Sequence, residues 1–259
     1  MRKIISSLLI IVFLLSCFFK TAPFVRATAK EDYEFQLSQY RKSYAEFSQL
    51  KRDYLQNPTL DNQQKSVIVA KQALSARDQA KASFARYLAD LVNGHNTGYT
   101  AFQPILTRLS EAVVFYSAKA QESQKITTPS DLTAFSNSYQ TETMIHDRSF
   151  AYGQVAAKIG NLIRFQIDAQ NILNTIYPKL PSPQPIPLKA RLDEIPLTVE
   201  AINEKISDLL AFAIPEEEDS PLIPDQYFSK FTEGLVDIRS RQSILIDQLI
   251  DIDINYVQP

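Results

Sequence analysis

Apolar residues recur along most of this chain at alternating intervals of three and four positions, the repeat of one face of an α-helix. In the first such segment, residues 30–57, the apolar stripe consists of Tyr33, Leu37, Tyr40, Tyr44, Phe47 and Tyr54. Only five glycines occur among 259 residues, which argues against a β-sandwich with many tight turns. The sequence therefore predicts an all-α fold.

Prolines and one glycine-containing turn divide the chain into about six helices. Pro58 ends the first helix, because a proline disfavours helical geometry in the residue before it, and Asp61 is placed to cap the second. A turn over residues 93–98 separates the second helix from the third. The predicted helices cover residues 30–57, 61–92, 100–124 and 129–177, and two more lie within residues 188–259.

The fourth predicted helix is apolar on two neighbouring faces, which is expected of a helix that is contacted from several sides. The first face consists of Ile145, Tyr152, Val155, Ile159, Leu162, Ala169, Leu173 and Ile176. The second face contains smaller residues and consists of Ser149, Gly153, Ala156, Gly160, Ile163 and Ile167. We expect the glycines to permit close packing of another helix, the alternative being a bend at these positions.

Five prolines between residues 178 and 187 predict an extended connector, with a docking strip for an aromatic groove as the alternative. The two helices beyond it keep heptad spacing and predict an antiparallel hairpin, which either joins the preceding helices or projects from them. The predicted architecture is an elongated, mainly antiparallel bundle with coiled-coil-like seams. Its parts are residues 1–29, a four-helix bundle over 30–177, the connector 178–187 and the hairpin 188–259.

The first 29 residues have the features of an export leader, which consists of basic residues, an apolar stretch from Ile4 to Phe19, and small residues before a cleavage point. One fate is cleavage by signal peptidase after Ala29. A second is lipidation of Cys17, because residues 14–17 resemble a bacterial lipobox. A third is a retained anchor, although the apolar stretch is shorter than the ~17 to 25 residues that usually span a bilayer. All three place the protein outside the cytoplasm, in the periplasm, on the cell surface or secreted.

Composition agrees with an extracytoplasmic protein. Cys17 is the single cysteine, so the rest of the chain has no disulfide, thiolate metal site or cysteine nucleophile. Cleavage after Ala29 removes four of the 27 basic residues and none of the 29 acidic ones, which leaves a net charge of -6. Nucleic-acid binding depends on clustered lysine and arginine, so we expect none. We expect membrane contact through the N-terminal segment alone.

Histidine is scarce, which limits metal chemistry. His95 and His146 are the two histidines of the chain, and only His146 has carboxylates close by in sequence, in Glu142 and Asp147. Metal sites in helical bundles take further ligands from other helices, and no second motif of this kind supplies them. We therefore expect a hydrogen-bonded or exposed His146, a solvated His95, and no metal or cofactor.

Two acidic segments have partial resemblance to cation sites. Asp251, Asp253 and Asn255 match the first oxygen ligands of an EF-hand loop, but Tyr256 occupies the position that requires glycine. We interpret this segment as the end of a helix. Residues 216–219 are all acidic and lie between prolines, which predicts a solvated loop, with weak cation binding or a basic partner as the alternative.

The sequence carries no nucleophile elbow, zinc-protease helix or phosphate-binding loop. We expect the tyrosines of the first helix in the core, the alternative being a ligand platform. The favoured function is an exported, non-catalytic structural or interaction module of the bacterial cell envelope. Its partner is an envelope protein or cell-wall component, and unused heptad seams would also allow copies of the chain to associate.

Two other function classes stay open at this level. One is an extracytoplasmic small-molecule-binding or sensory bundle, with its ligand near Tyr152 and Gly153, that signals through a partner. The other is an envelope hydrolase whose carboxylates meet only in space.

Overall fold

The computed structural model describes residues 28–94, 100–213 and 224–257. Regular structure in these ranges is helical throughout, which confirms the predicted all-α chain with six long helices. The helices are α1 (Ala29–Gln56), α2 (Leu60–Gly94), α3 (Gln103–Ser123), α4 (Pro129–Ile176), α5 (Ile186–Ala213) and α6 (Pro224–Ile252). Short 3-10 turns at Thr100–Phe102 and Tyr177–Lys179 and a π turn at Asp253–Val257 adjoin them.

Threonines cap the helices that follow sharp turns. Thr128 accepts a hydrogen bond from the Asp131 amide at 3.1 Å, and the Asp131 carboxylate accepts one from the Thr128 amide at 2.9 Å. The carboxylate also accepts from Thr127, and these bonds to backbone and hydroxyl groups lower the pKa of Asp131 to about 2. At α2 the predicted cap was wrong, because Thr59 Oγ1 accepts from the Asn62 amide while Asp61 pairs with Lys65.

Contacts of the first three helices show that each runs antiparallel to the next. Tyr33, near the start of α1, packs on Phe84 in the second half of α2 with ring centroids 4.8 Å apart. Ser66, near the start of α2, donates to the carbonyl of Leu50 near the end of α1. The same reversal relates α2 to α3, where Ser75 Oγ donates to the Ala120 carbonyl at 3.2 Å.

The hairpin of α5 and α6 packs on the second half of α4. Gln242, which interrupts the apolar seam of α6, is buried and donates through Nε2 to the Leu162 carbonyl of α4 at 3.1 Å. One end of the contact is formed by Tyr227 of α6, whose ring meets that of Tyr152 edge to face at 5.7 Å. Within the hairpin, Arg191 of α5 pairs with Asp251 of α6.

The two apolar faces of α4 are mostly confirmed. Thirteen residues of the helix between Phe135 and Ala169 are buried, among them Val155, Ile159 and Gly160. A Cβ at Gly153 would lie 3.1 Å from a methyl of Leu109 and 3.2 Å from one of Leu88, so close packing is confirmed there. Ile145 and Ile167 were placed wrongly, since they are 67% and 43% exposed.

Two other expectations need correction. No residue of α1 is buried, and Tyr44 is 53% exposed, so its aromatic stripe is a half-buried edge rather than core. The extended part of the connector is also shorter than 178–187. Pro178 lies in a 3-10 turn and Pro187 in the first turn of α5, where the missing N–H of proline is tolerated.

Candidate functional site

Polar side chains from three helices meet inside the interface of α2, α3 and α4. On α2 and α3 the two members are three residues apart, as are the first two members on α4, which places each pair on one helix face. The last member on α4 lies five residues further on. We call this set the polar ladder, and it consists of Asp78 and Lys81 from α2, Tyr116 and Lys119 from α3, and Tyr139, Glu142 and Asp147 from α4.

The first rung of the ladder is centred on Asp78, which is fully buried. Its carboxylate accepts a 2.5 Å hydrogen bond from the phenol of Tyr139 and two from Arg77, at 2.9 Å through Nε and 3.2 Å through Nη2. The Arg77 guanidinium also lies 3.6 Å from the centroid of the Tyr139 ring. Burial raises the pKa of Tyr139, and the charge of Asp78 adds to this. The phenol therefore donates to a carboxylate whose negative charge is balanced by Arg77.

The second rung joins all three helices at Asp147. Its Oδ1 accepts from the phenol of Tyr116 at 2.5 Å and from Lys81 Nζ at 2.8 Å. Lys81 Nζ lies 4.9 Å from the centroid of the Tyr116 ring, within the range of a cation–π contact. Burial raises the pKa of Tyr116, and the hydrogen bond to Asp147 raises it further.

The third rung is an ion pair between α3 and α4. Lys119 Nζ lies 2.5 Å from Glu142 Oε2 and 2.8 Å from Glu122 Oε2. Burial alone lowers the pKa of Lys119, but the hydrogen bonds to the two glutamates outweigh it and the pKa is raised. The same bond lowers the pKa of Glu142. Both partners are therefore held in their charged forms.

The three residues of the metal hypothesis, Glu142, His146 and Asp147, contact other side chains. Each carboxylate is held by a lysine, and the ring of His146 stacks on Phe115 with centroids 4.1 Å apart. Burial lowers the pKa of His146. Among the described residues, no group of three or more histidine, cysteine or acidic side chains is placed to hold a metal ion.

The remaining sequence candidates are Asp251 and its neighbours, Ala29, Cys17, His95 and residues 216–219. Asp251 pairs with Arg191 and accepts from Asn255 Nδ2 at 2.8 Å, and α6 ends at Ile252, which confirms a helix end. Ala29 is the first residue of α1. Cys17, His95 and the acidic residues 216–219 lie outside the described residues.

A second feature lies beside the first rung. Tyr40, Tyr44 and Phe47 of α1 line a cavity of about 220 Å³ against α2 and the start of α4, and Arg77 lines it too. A larger open groove of about 760 Å³ runs between α4 and α5, lined by residues that include Leu173, Pro196 and Glu200. The cavity lies beside the ion pair of Arg77 and Asp78, and the groove is the more open of the two to solvent.

One feature of the sequence indicates the ladder, although the apolar periodicity does not explain it. The apolar face of α2 breaks between Leu74 and Phe84, and Arg77, Asp78 and Lys81 occupy the inward positions in that gap. Charged residues at core positions predict buried partners, but their identity depends on the register of other helices.

Chemically, the ladder can hold three helices in register, because each of its carboxylates is occupied by a fixed donor.

None of the described helices is both long enough and apolar enough to cross a membrane. Comparisons of the chain with protein-family models, curated proteins and solved structures give no match.

Proposed function

We propose that this protein is an exported, non-catalytic scaffold of the bacterial cell envelope that binds a protein or envelope component along its helices. The observation that carries the proposal is an exposed isoleucine stripe formed by Ile246 and Ile250 of α6 and by Ile254 of the π turn that continues it. These residues are 38%, 50% and 59% exposed and are spaced four positions apart, so they lie on adjoining turns of one helix flank.

The stripe is additional to the face that packs α6 inside the protein. Leu245, Leu249 and Ile252 are buried and form the internal seam of the same two turns. A helix that keeps a second apolar row in solvent is typical of a partner-binding element, because anchors at four-residue spacing fit the groove of another helix or protein.

The polar ladder supports a non-catalytic role. A general base or nucleophile needs a lone pair that can reach a substrate, whereas Asp78 and Asp147 are each occupied by a phenol and a cationic side chain. Such networks specify which residues face each other across helices, although their net contribution to stability is small. This supports rigidity rather than an envelope hydrolase.

The alternative of a ligand near Tyr152 and Gly153 has less support. Leucine methyls already occupy the space in front of Gly153, and the Tyr152 ring is covered by Tyr227. These contacts take up space next to both residues.

Export is supported by the leader alone, with its basic start, apolar stretch and small residues up to Ala29. The elongated, mainly antiparallel bundle is part of the same proposal. It is supported by the antiparallel contacts of successive helices and by the 48 residues of α4, which span about 72 Å at 1.5 Å per residue. A long, stiff body would separate an anchored end from a distant binding surface.

The test places a photo-crosslinking amino acid at Ile250 in the full chain, expressed in bacteria with its leader. Ile244 is the matched control, because it is 52% exposed on the same helix but about 120° away from Ile250 around the axis. We expect the chain in the extracytoplasmic fraction and one discrete adduct from Ile250 but not from Ile244. Cytoplasmic retention, or a monomer without an Ile250-specific adduct, contradicts the proposal.

A further inference from the structure

The cavity between α1, α2 and the start of α4 has the size of a single substituted ring. Its volume is about 220 Å³. A cavity of ~150 Å³ admits benzene, and pockets for drug-sized molecules begin at ~300 Å³. The space is thus larger than one benzene ring and smaller than the pockets of drug-sized molecules.

Aromatic rings form the wall of the cavity on the α1 side. Tyr40, Tyr44 and Phe47 belong to two successive turns, with centroids 5.8 Å apart for the first pair and 6.5 Å for the second. Neighbouring rings are tilted by 48° and 49°, so they offer both faces and edges to a guest. A planar aromatic guest can meet such a wall in edge-to-face contacts that an aliphatic ring of equal size cannot make.

On the opposite side, the cavity exists because two buried positions of α2 carry the small side chain of alanine. Ala70 and Ala73 are 3% and 5% exposed and line the cavity, whereas the next position on this face, Leu74, carries a full side chain. A leucine at either alanine would fill much of the space. The cavity therefore depends on particular small residues in the sequence.

The polar end of the cavity is formed by Arg77. Asp78 takes its Nε and Nη2, and the Tyr139 ring lies 3.6 Å from the guanidinium, so the group is fixed in place. Arg77, Tyr40, Tyr44 and Ser136 are the lining residues whose side chains carry hydrogen-bond donors. Because Asp78 already balances the charge of Arg77, this end favours an uncharged hydrogen-bond acceptor over an anion.

We propose that the cavity binds a small, uncharged aromatic molecule, consisting of one ring with a polar acceptor directed to Arg77. The site is separate from the isoleucine stripe on α6, so the proposed scaffold would bind a small molecule as well as its partner. Its wall comes from α1 and its floor and polar end from α2, so binding would also hold α1 against α2.

The probe is 4-fluoroacetophenone, whose fluorine signal broadens in NMR spectra when it binds the full chain. Acetophenone is the competitor, cyclohexyl methyl ketone tests the aromatic ring, and toluene tests the acceptor. We expect saturable binding, with acetophenone competing roughly two- to tenfold better than either control. Absence of saturable binding, or equal competition by the three compounds, overturns the proposal.

The cavity itself is tested by Ala73→Leu, with Ala118→Leu as a control at an exposed alanine of α3. We expect Ala73→Leu to abolish binding while the circular dichroism spectrum stays helical, and Ala118→Leu to bind as the original chain does. Unchanged binding by a folded Ala73→Leu variant overturns the proposal.

A second variant covers the case in which Ala73→Leu fails to fold. Phe47→Ala removes one ring from the wall at a half-buried position and adds no volume to the cavity. We expect this variant to stay helical and to bind acetophenone more weakly than the original chain. Unchanged binding by a folded Phe47→Ala variant overturns the proposal, and neither result affects the role of the α6 stripe.

Discussion

The phenol of Tyr139 on α4 donates a 2.5 Å hydrogen bond to the carboxylate of Asp78 on α2, which has no exposed surface. Asp78 is the most buried charged residue described in the protein. A buried carboxylate is costly unless its lone pairs are occupied, so this contact makes the packing of α4 on α2 depend on one hydroxyl group.

We expect Tyr139→Phe to lower the free energy of unfolding by about 1 to 3 kcal/mol, because Asp78 loses a donor that water cannot replace. Urea unfolding followed by circular dichroism measures the change. Tyr177→Phe is the control, since Tyr177 is exposed. Equal midpoints for the two variants would show that the hydrogen bond adds nothing to stability.

A second prediction concerns alkaline pH. Burial raises the pKa of Tyr116 and Tyr139 above the ordinary value of 10.0. Their contribution to stability is therefore complete below pH ~10 and is lost as pH rises from there toward the raised values, because the unfolded chain releases these protons first. We expect the unfolding midpoint in urea to fall between about pH 9 and 11, and to fall less steeply in Tyr116→Phe. An identical slope in that variant would contradict the argument.

The third prediction tests the close approach at Gly153. A larger side chain there must displace the methyls of Leu109 and Leu88, so we expect Gly153→Val to destabilise the protein by about 1 to 3 kcal/mol. Gly94→Val is the matched control, because a Cβ at Gly94 meets nothing within 4 Å. Thermal unfolding of both variants measures the difference. A Gly153→Val protein as stable as the control would mean that the glycine is not needed for packing.

Helix bounds were predictable because their causes are local. The α4 bounds follow from Thr128 and Pro129 at one end and Pro178 at the other, and periodicity of the intervening residues is a property of the helix itself. Whether a residue of an apolar stripe is buried or exposed depends on helices that are distant in the sequence. Ile145 follows the same spacing as Val155, yet it is exposed because neighbouring helices cover only part of a long helix.

The ladder and the cavity were not predictable for a related reason. The pairing of Asp78 with Tyr139 depends on the register between two helices that are separated by a third in the chain. The cavity depends on alanines at positions 70 and 73 facing aromatic residues of α1, and an alanine in a helix also fits a tightly packed interface. Sequence periodicity identifies faces, but it does not identify what each face meets.

The fourth prediction separates binding from stability on α6. Ile250→Glu adds a charge to the exposed stripe without touching the internal seam, so we expect a change in stability within about 0.5 kcal/mol and loss of the partner adduct. Ile244→Glu, at equal exposure on another flank, should keep the adduct. Crosslinking yield and urea unfolding measure the two effects, and loss of the adduct in both variants would point to general disruption of the surface.

The last prediction concerns the proposed leader, through the cap of α1. Thr28 Oγ1 accepts from the Glu31 amide at 3.2 Å, and the Glu31 carboxylate accepts from the Thr28 amide at 2.8 Å, which lowers the pKa of Glu31. Cleavage after Ala29 removes Thr28 and places a new α-amino group at the helix N-terminus, where a positive charge is unfavourable. Chains that are lipidated at Cys17 or intact from Met1 keep the cap.

We therefore expect the first turn of α1 to exchange amide hydrogens faster in a chain that begins at Lys30 than in one that retains Thr28. Hydrogen exchange read by mass spectrometry measures both chains, and the mass of the native N-terminus shows which form the cell makes. The equivalent cap at Thr128 and Asp131 is the internal control, since it is present in either chain. Equal protection of the first turn in both would mean that packing on α2, rather than the cap, holds the start of α1.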